Sequence, residues 1–212
     1  MIFRLDERLL FPDPELAEDD GLLAVGGDLS TERLLLAYRN GIFPWYGEDE
    51  PILWFSPHER FVLYPDGLKI SKSMRRVLNS GIFEITVDER FGDVMAACSV
   101  IGRPGQDGTW ITGDMIAAYT ELHRQGHAHS VEVWHNDNLV GGLYGVQVGN
   151  VFCGESMFSL ASNASKTALI HLCKSGPYQL IDCQVYTPHL ESMGARMISR
   201  EIYMEALENA GG

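Results

Sequence analysis

The chain has 212 residues, 45% of them hydrophobic, and carries a formal net charge of −13. That apolar content fills one large core, or a main domain with a smaller one attached, and it excludes a disordered chain. The negative balance excludes indiscriminate nucleic-acid binding, because phosphate contacts need cations, while leaving room for a local basic patch.

Residues 1–30 carry Pro12, Pro14, the acidic cluster Glu15, Glu18, Asp19 and Asp20, and the turn sequence GGDLS. These are turn and loop residues. Ser30 or Thr31 can cap a short helix that keeps Leu34, Leu35 and Tyr38 inside and stops at Asn40-Gly41. FPWY (43–46), an acidic loop and ILWFSPHER (52–60) complete an irregular N-terminal unit, expected to span residues 1–60.

From residue 61 the periodicity is clearer. Ile70, Met74, Val77 and Leu78 have helical spacing behind a Ser71 cap. IFEITV (82–87) alternates as a strand. Residues 89–100 and 113–125 read as helices. SVEVW (130–134), the turn at 136–138 and LVGGLYGVQV (139–148) read as a hairpin, followed by a third strand at 151–153. Asn163 can cap a helix that Gly176 ends. YQLIDCQV (178–185) is a further strand, residues 195–198 another, and Ser199 caps a last helix. The pattern is α+β, with a mostly antiparallel central sheet in a domain expected to span 61–212.

Four scattered cysteines, none in a C-x-x-C pair, read as free buried thiols of a reducing compartment. MIFRLDER has no leader pattern, and no apolar run reaches membrane-spanning length, so a soluble cytoplasmic protein is expected. His123, His127 and His129 invite a metal reading. Gly126 breaks the helical face they would need and no carboxylate or thiolate is near in sequence, so ordinary helix-end histidines are favoured.

Several positions could carry chemistry. GGLYG (141–145) lacks the strand-turn-helix setting of a phosphate loop; its glycines point to close backbone approach or a bulge. Lys72, Arg75 and Arg76 share one helical face opposite Ile70, Met74 and Val77. They form either a solvated face or a phosphate-contacting patch. Trp45, Trp54 and Trp110 near turns could provide an aromatic platform. Glu155 sits in the apolar run VFCGESMFS (151–159), where burial without a partner is costly, so it is solvated in a loop or held in a cleft. Asp182 and Gln184 alternate on one strand face, which makes either a satisfied polar network or a pair that polarises a nucleophile. Neither a serine-histidine-carboxylate nor a nucleophilic cysteine motif accompanies them. An enzyme built on them would transfer a group directly between two substrates.

Eight stretches in order, GLLAVGGDLS (21–30), GIFPWY (41–46), ILWFSP (52–57), GTWIT (108–112), HAHSVEVW (127–134), FCGESMFS (152–159), NASKTA (163–168) and LIDCQ (180–184), resemble the leucyl/phenylalanyl-tRNA–protein transferases over nearly the whole chain. The resemblance implies transfer of leucine or phenylalanine, and methionine as a further donor, from aminoacyl-tRNA to the α-amino group of proteins beginning with arginine or lysine. The product is marked for degradation through the N-degron route. It implies a small N-terminal domain and a C-terminal domain like the GCN5-related acetyltransferases, and chemistry that requires no cofactor or metal; a monomer is the default expectation. Asp182, Gln184 and Glu155 match the family's catalytic positions. Tyr38, Trp45, Trp110 and Tyr119 match positions that hold the aminoacylated 3′ adenosine. Leu143, Phe152 and Met157 fall where the amino-acid pocket lies, and Lys72, Arg75 and Arg76 match the basic region that meets the acceptor stem. Phe55 and Leu143 stand where a tryptophan and a methionine are common in that family. Two rivals differ in class. An acetyltransferase for small amines would need a pyrophosphate-binding turn before the 163 helix, which is missing, and a tRNA- or peptide-binding module would bind without product.

Overall fold

The computed structural model describes residues 2–101 and 111–210. Eleven strands and seven α-helices alternate irregularly among them: β1 (Phe3–Leu5), β2 (Leu22–Gly26), α1 (Thr31–Arg39), β3 (Phe43–Pro44), β4 (Leu53–Phe55), β5 (Glu59–Leu63), α2 (Lys72–Asn79), β6 (Glu84–Val87), α3 (Phe91–Val100), α4 (Gly113–Arg124), β7 (Ala128–His135), β8 (Asn138–Val148), β9 (Val151–Ser159), α5 (Ala164–Ser175), β10 (Leu180–Asp182), α6 (Pro188–Ser192), β11 (Arg196–Ser199) and α7 (Arg200–Ala210).

The first four strands form a sheet of order β1-β2-β4-β3, and the other seven form a sheet of order β11-β5-β10-β9-β8-β7-β6. In the larger sheet every pairing is antiparallel except β10 with β9. Each face of that sheet buries its own core. On one face, Tyr144, Val146, Cys153 and Phe158 pack with residues of α1, α3, α4 and α7. On the other, Leu143, Phe152, Ile181 and Val133 pack with Met74 of α2, Leu190 of α6 and Ala164, Ala168, Leu169 and Leu172 of α5.

Of the four helix caps read from the sequence, three are made by side chains; Asn163 stands before α5 with a left-handed backbone, φ 70°, and its side chain makes no cap bond. Ser30, Ser71 and Ser199 accept from Arg33, Met74 and Ile202 backbone N–H groups. Gly141 serves close packing. A Cβ there would meet that of Ala164 at 2.5 Å, so the glycine lets α5 lie against β8.

Four expectations need correction. The strand expected at 178–185 ends at Asp182, because Gln184 takes a left-handed backbone with φ of 60°. The strand expected at 151–153 continues to Ser159. Trp54 is no platform: it is fully buried in β4 and its indole donates to the Gly26 carbonyl. The residues around it, read as turns, hold four short strands. Among the described residues no helix is long and apolar enough to cross a membrane.

Candidate active site

The site begins with an irregularity in one strand. β9 pairs Gly154 with Gly145 and Ser156 with Tyr144, which leaves Glu155 as the extra residue of a β-bulge. Residues an odd number apart normally face opposite sides of a strand. The bulge resets that parity, so Phe152 and Met157 both reach the α5 face of the sheet, while Cys153 and Phe158 share the other.

A second irregularity opens the sheet beside it. β10 pairs with β9 only along Val151–Cys153. Past Asp182 the chain stays with β5, where Cys183 donates to the Phe61 carbonyl and Phe61 to that of Gln184. A cavity of about 340 Å³ occupies the resulting gap, lined by Gly154, Glu155, Ser156 and Met157 on one side and Asp182, Cys183, Gln184 and Val185 on the other. Leu143, Phe152, Leu169, Leu172, Ile181 and Leu190, all buried, make much of its lining apolar, and Phe43, Pro44 and the exposed Trp45 complete it. Trp45 is 40% exposed and tilts against Phe55. The volume lies within the range of about 300–1,000 Å³ usual for small-ligand sites.

Glu155 is buried where the two irregularities meet. The Gln184 side-chain amide donates to its Oε1 at 2.8 Å, and the Tyr119 hydroxyl donates to Oε2 at 3.4 Å. Tyr38 and Tyr119 hydrogen-bond to one another through their hydroxyls. Burial pushes the Glu155 carboxyl up to about 7. The Tyr38 and Gln184 hydrogen bonds and the Arg60 charge oppose the shift, and the Asp182 charge adds to it. Burial, followed by the charge of Glu155, drives both tyrosine hydroxyls well above their ordinary value, so they remain donors.

Asp182 is enclosed. Its carboxylate takes the Arg60 guanidinium at 2.7 Å, the Tyr203 hydroxyl at 2.8 Å and the Gln184 backbone N–H at 2.8 Å. Asp182 and Gln184 are therefore joined through a backbone hydrogen bond across a turn, and not by alternation along a strand. A left-handed backbone at a non-glycine residue costs on the order of 1–3 kcal/mol and persists where its surroundings hold it in place.

The residues singled out from the sequence divide into groups. Glu155, Asp182, Gln184, Trp45, Leu143, Phe152 and Met157 all line the one cavity. Tyr38 and Tyr119 do not line it. Their rings are buried, so they offer hydroxyls to Glu155 and no stacking surface. Trp110 lies outside the described residues. Lys72, Arg75 and Arg76 lie exposed on α2, with Met74 turned inward. Two of the three histidines meet at Asp88: His129 pairs with its carboxylate at 2.7 Å, and His123, which stacks on Phe91 and bonds the Ala128 carbonyl, lies 3.8 Å from it. Sequence reasoning missed Arg60 and Tyr203. Arg60 ends the run SPHER (56–60) with no periodic or motif signal around it, and Tyr203 is a single aromatic on the last helix.

A family model described as leucyl/phenylalanyl-tRNA protein transferase matches residues 62–208, and the model of that family's N-terminal domain matches residues 27–58. A curated leucyl/phenylalanyl-tRNA–protein transferase of Syntrophobacter fumaroxidans is 59% identical over 97% of this chain and 89% of its own length. One from Flavobacterium johnsoniae is 56% identical over 98% of this chain and all of its own. Among solved structures, a GCN5-related N-acetyltransferase from Kribbella flavida aligns with a TM-score of 0.41 and 11% identity, over 76% of this chain and 58% of that one, a likeness too distant to carry an argument. The match along both family models and nearly the full length of these relatives shows that the chain belongs to the leucyl/phenylalanyl-tRNA–protein transferase family.

Proposed function

We propose that this transferase moves leucine, phenylalanine or methionine from the 3′ end of its tRNA to the α-amino group of a protein that begins with arginine or lysine, so marking that protein for N-degron degradation. One observation carries this reading. A buried carboxylate held near 7 accepts a hydrogen bond from a side-chain amide in the wall of the cavity that Leu143, Phe152 and Met157 also line.

The aminoacyl ester is already activated, so the reaction needs a placed and neutral amine. An α-amino group has a pKa of about 7.7–8.0, close to that of Glu155, which suits proton transfer between them near neutrality. Glu155 takes one proton from the incoming ammonium. The neutral nitrogen attacks the ester carbonyl, the C–N bond forms, and the bond from that carbon to the 3′ oxygen breaks. The second proton leaves the nitrogen and passes to the 3′ oxygen. Gln184 gives its N–H to Glu155, which turns its amide carbonyl to the amine as an acceptor. Asp182 is saturated with donors and orients Gln184. The donor side chain lies against the apolar lining of the cavity, the exposed Trp45 flanks the adenosine, and the cations of α2 contact the acceptor stem. The protein works as a cytoplasmic monomer and needs no cofactor for these steps.

The test is to incubate the protein with leucyl-tRNA and a peptide that starts with arginine. The expected result is a mass gain of one leucine at the peptide N-terminus. Bound tRNA without any gain would overturn transfer in favour of a binding module, and gain of an acetyl group from acetyl-CoA would overturn it in favour of an acetyltransferase.

A further inference from the structure

Arg60 touches none of the proposed substrates, yet its guanidinium is held from every side. It is 1% exposed and lies between the rings of Phe43 and Tyr203, at 4.7 and 4.6 Å from their centroids. One terminal nitrogen donates to the Gly41 carbonyl at 3.1 Å. The other donates to Asp182 Oδ2 at 2.7 Å, and Nε lies 3.3 Å from each Asp182 oxygen.

The contacts continue past Asp182. Oδ1 receives the backbone N–H of Gln184, whose φ of 60° is uncommon for a residue with a long side chain. From that backbone the Gln184 side chain reaches Glu155 Oε1. An unbroken chain of contacts thus runs from Gly41 and Phe43, at the base of the Trp45 wall, through Arg60, Asp182 and Gln184 to Glu155. A carboxylate as buried as Asp182 needs a partner of opposite charge, and removing one member of such a pair leaves the other uncompensated. Charge alone does not reproduce this geometry. A planar fork binds two carboxylate oxygens and a carbonyl at once and stacks between rings, which a lysine ammonium cannot do.

We propose that Arg60 is a positioning residue for aminoacyl transfer: it fixes the Asp182 carboxylate, which sets the left-handed turn that delivers the Gln184 amide to Glu155. The activity arm of the test rests on the transfer reading above; the spectroscopic arm stands without it.

Two readings of the full chain decide it. In the free protein, the 15N-labelled side-chain amide of Gln184 is assigned by its loss in Gln184→Glu, then followed in Arg60→Lys. The expected result is movement to the position of a solvent-exposed glutamine amide. An unchanged position would overturn the proposal whatever the activity. In the transfer assay, Arg60→Lys should lower kcat about 10²-fold, the loss expected from a misplaced group near the reacting atoms, with KM for leucyl-tRNA within about threefold of wild type. Methylguanidinium should restore part of the kcat of Arg60→Ala, which a general loss of structure would not allow. A kcat within twofold of wild type, or a loss confined to KM, would overturn the role. Where the Arg60 variants fail to fold, Tyr203→Phe removes a single hydrogen bond from Asp182 and should move the same two readings in the same direction, and no movement in either would overturn the proposal. If the wild-type chain transfers no leucine, the functional reading falls, and the Gln184 amide still decides the positioning.

Discussion

The side chain of Gln184 crosses the gap between β10 and β9 and donates to Glu155, so two strands that part company are tied again at the point where the cavity is deepest in polar groups. That hydrogen bond keeps the carboxylate partnered without supplying a full counter-charge, which is why burial still dominates and holds the group near 7.

Glu155→Gln keeps the size and an acceptor oxygen but abolishes proton uptake. Its kcat should fall by about 10²–10⁴-fold, the usual contribution of a placed acid or base. The wild-type rate should rise with pH through about 7 as Glu155 ionises, and that limb should vanish in the variant. A pH profile of kcat/KM for both proteins checks this; an unchanged limb in the variant assigns the titration elsewhere.

The same group makes stability depend on pH in a defined direction. Its folded pKa lies above the ordinary carboxylate value of 4.5, so the native state binds the proton more tightly than the unfolded state. The contribution is complete below about 4.5 and is lost as pH rises through about 7. The full difference is on the order of 3 kcal/mol. Glu155→Gln should therefore melt higher than wild type at pH 8, with the gap closing at pH 5. Calorimetry at the two pH values reads it, and a gap that widens at pH 5 contradicts the assignment.

Met157 and Leu143 face one another across paired strands at the pocket wall. Met157→Ala widens the pocket by several atoms, which should favour phenylalanine over leucine as donor by about 10-fold or more, the scale of a few methylenes in an apolar site. Competition between leucyl- and phenylalanyl-tRNA in one reaction measures that ratio directly.

Lys72, Arg75 and Arg76 are exposed on α2. Replacing all three by alanine should weaken tRNA binding and flatten its dependence on salt, lowering the slope of log K against log salt by about 2–3. Transfer at saturating tRNA should be retained. A slope equal to wild type would return these cations to a solvated face.

Six of the seven described α-helices, the β7–β8 hairpin and the α+β class were legible because period and caps are local properties; α6, with five residues, is too short to show a period. The N-terminal sheet was not, since its strands have two to five residues and pair at a distance, β1 with β2 in parallel. The candidate-site residues on β9 and at or just past the end of β10 were recognisable as carboxylates and an amide out of place, and their relation was not. A bulge at Glu155 and a left-handed turn at Gln184 both break the two-residue period on which strand reading depends. Arg60 escaped because nothing in SPHER distinguishes a cation that ends in a ring sandwich from one that ends in water.

The bulge in β9 also restricts how this protein can vary. Point substitutions at Leu143, Phe152 or Met157 reshape the pocket and leave the rest of the strand in place. Loss or gain of one residue between Cys153 and Met157 would turn the wall of the pocket into the wall of the opposite core and send Phe158 to the wrong side. The pocket is thus open to gradual reshaping by side-chain exchange, while the length of this strand is closed to any single-residue change.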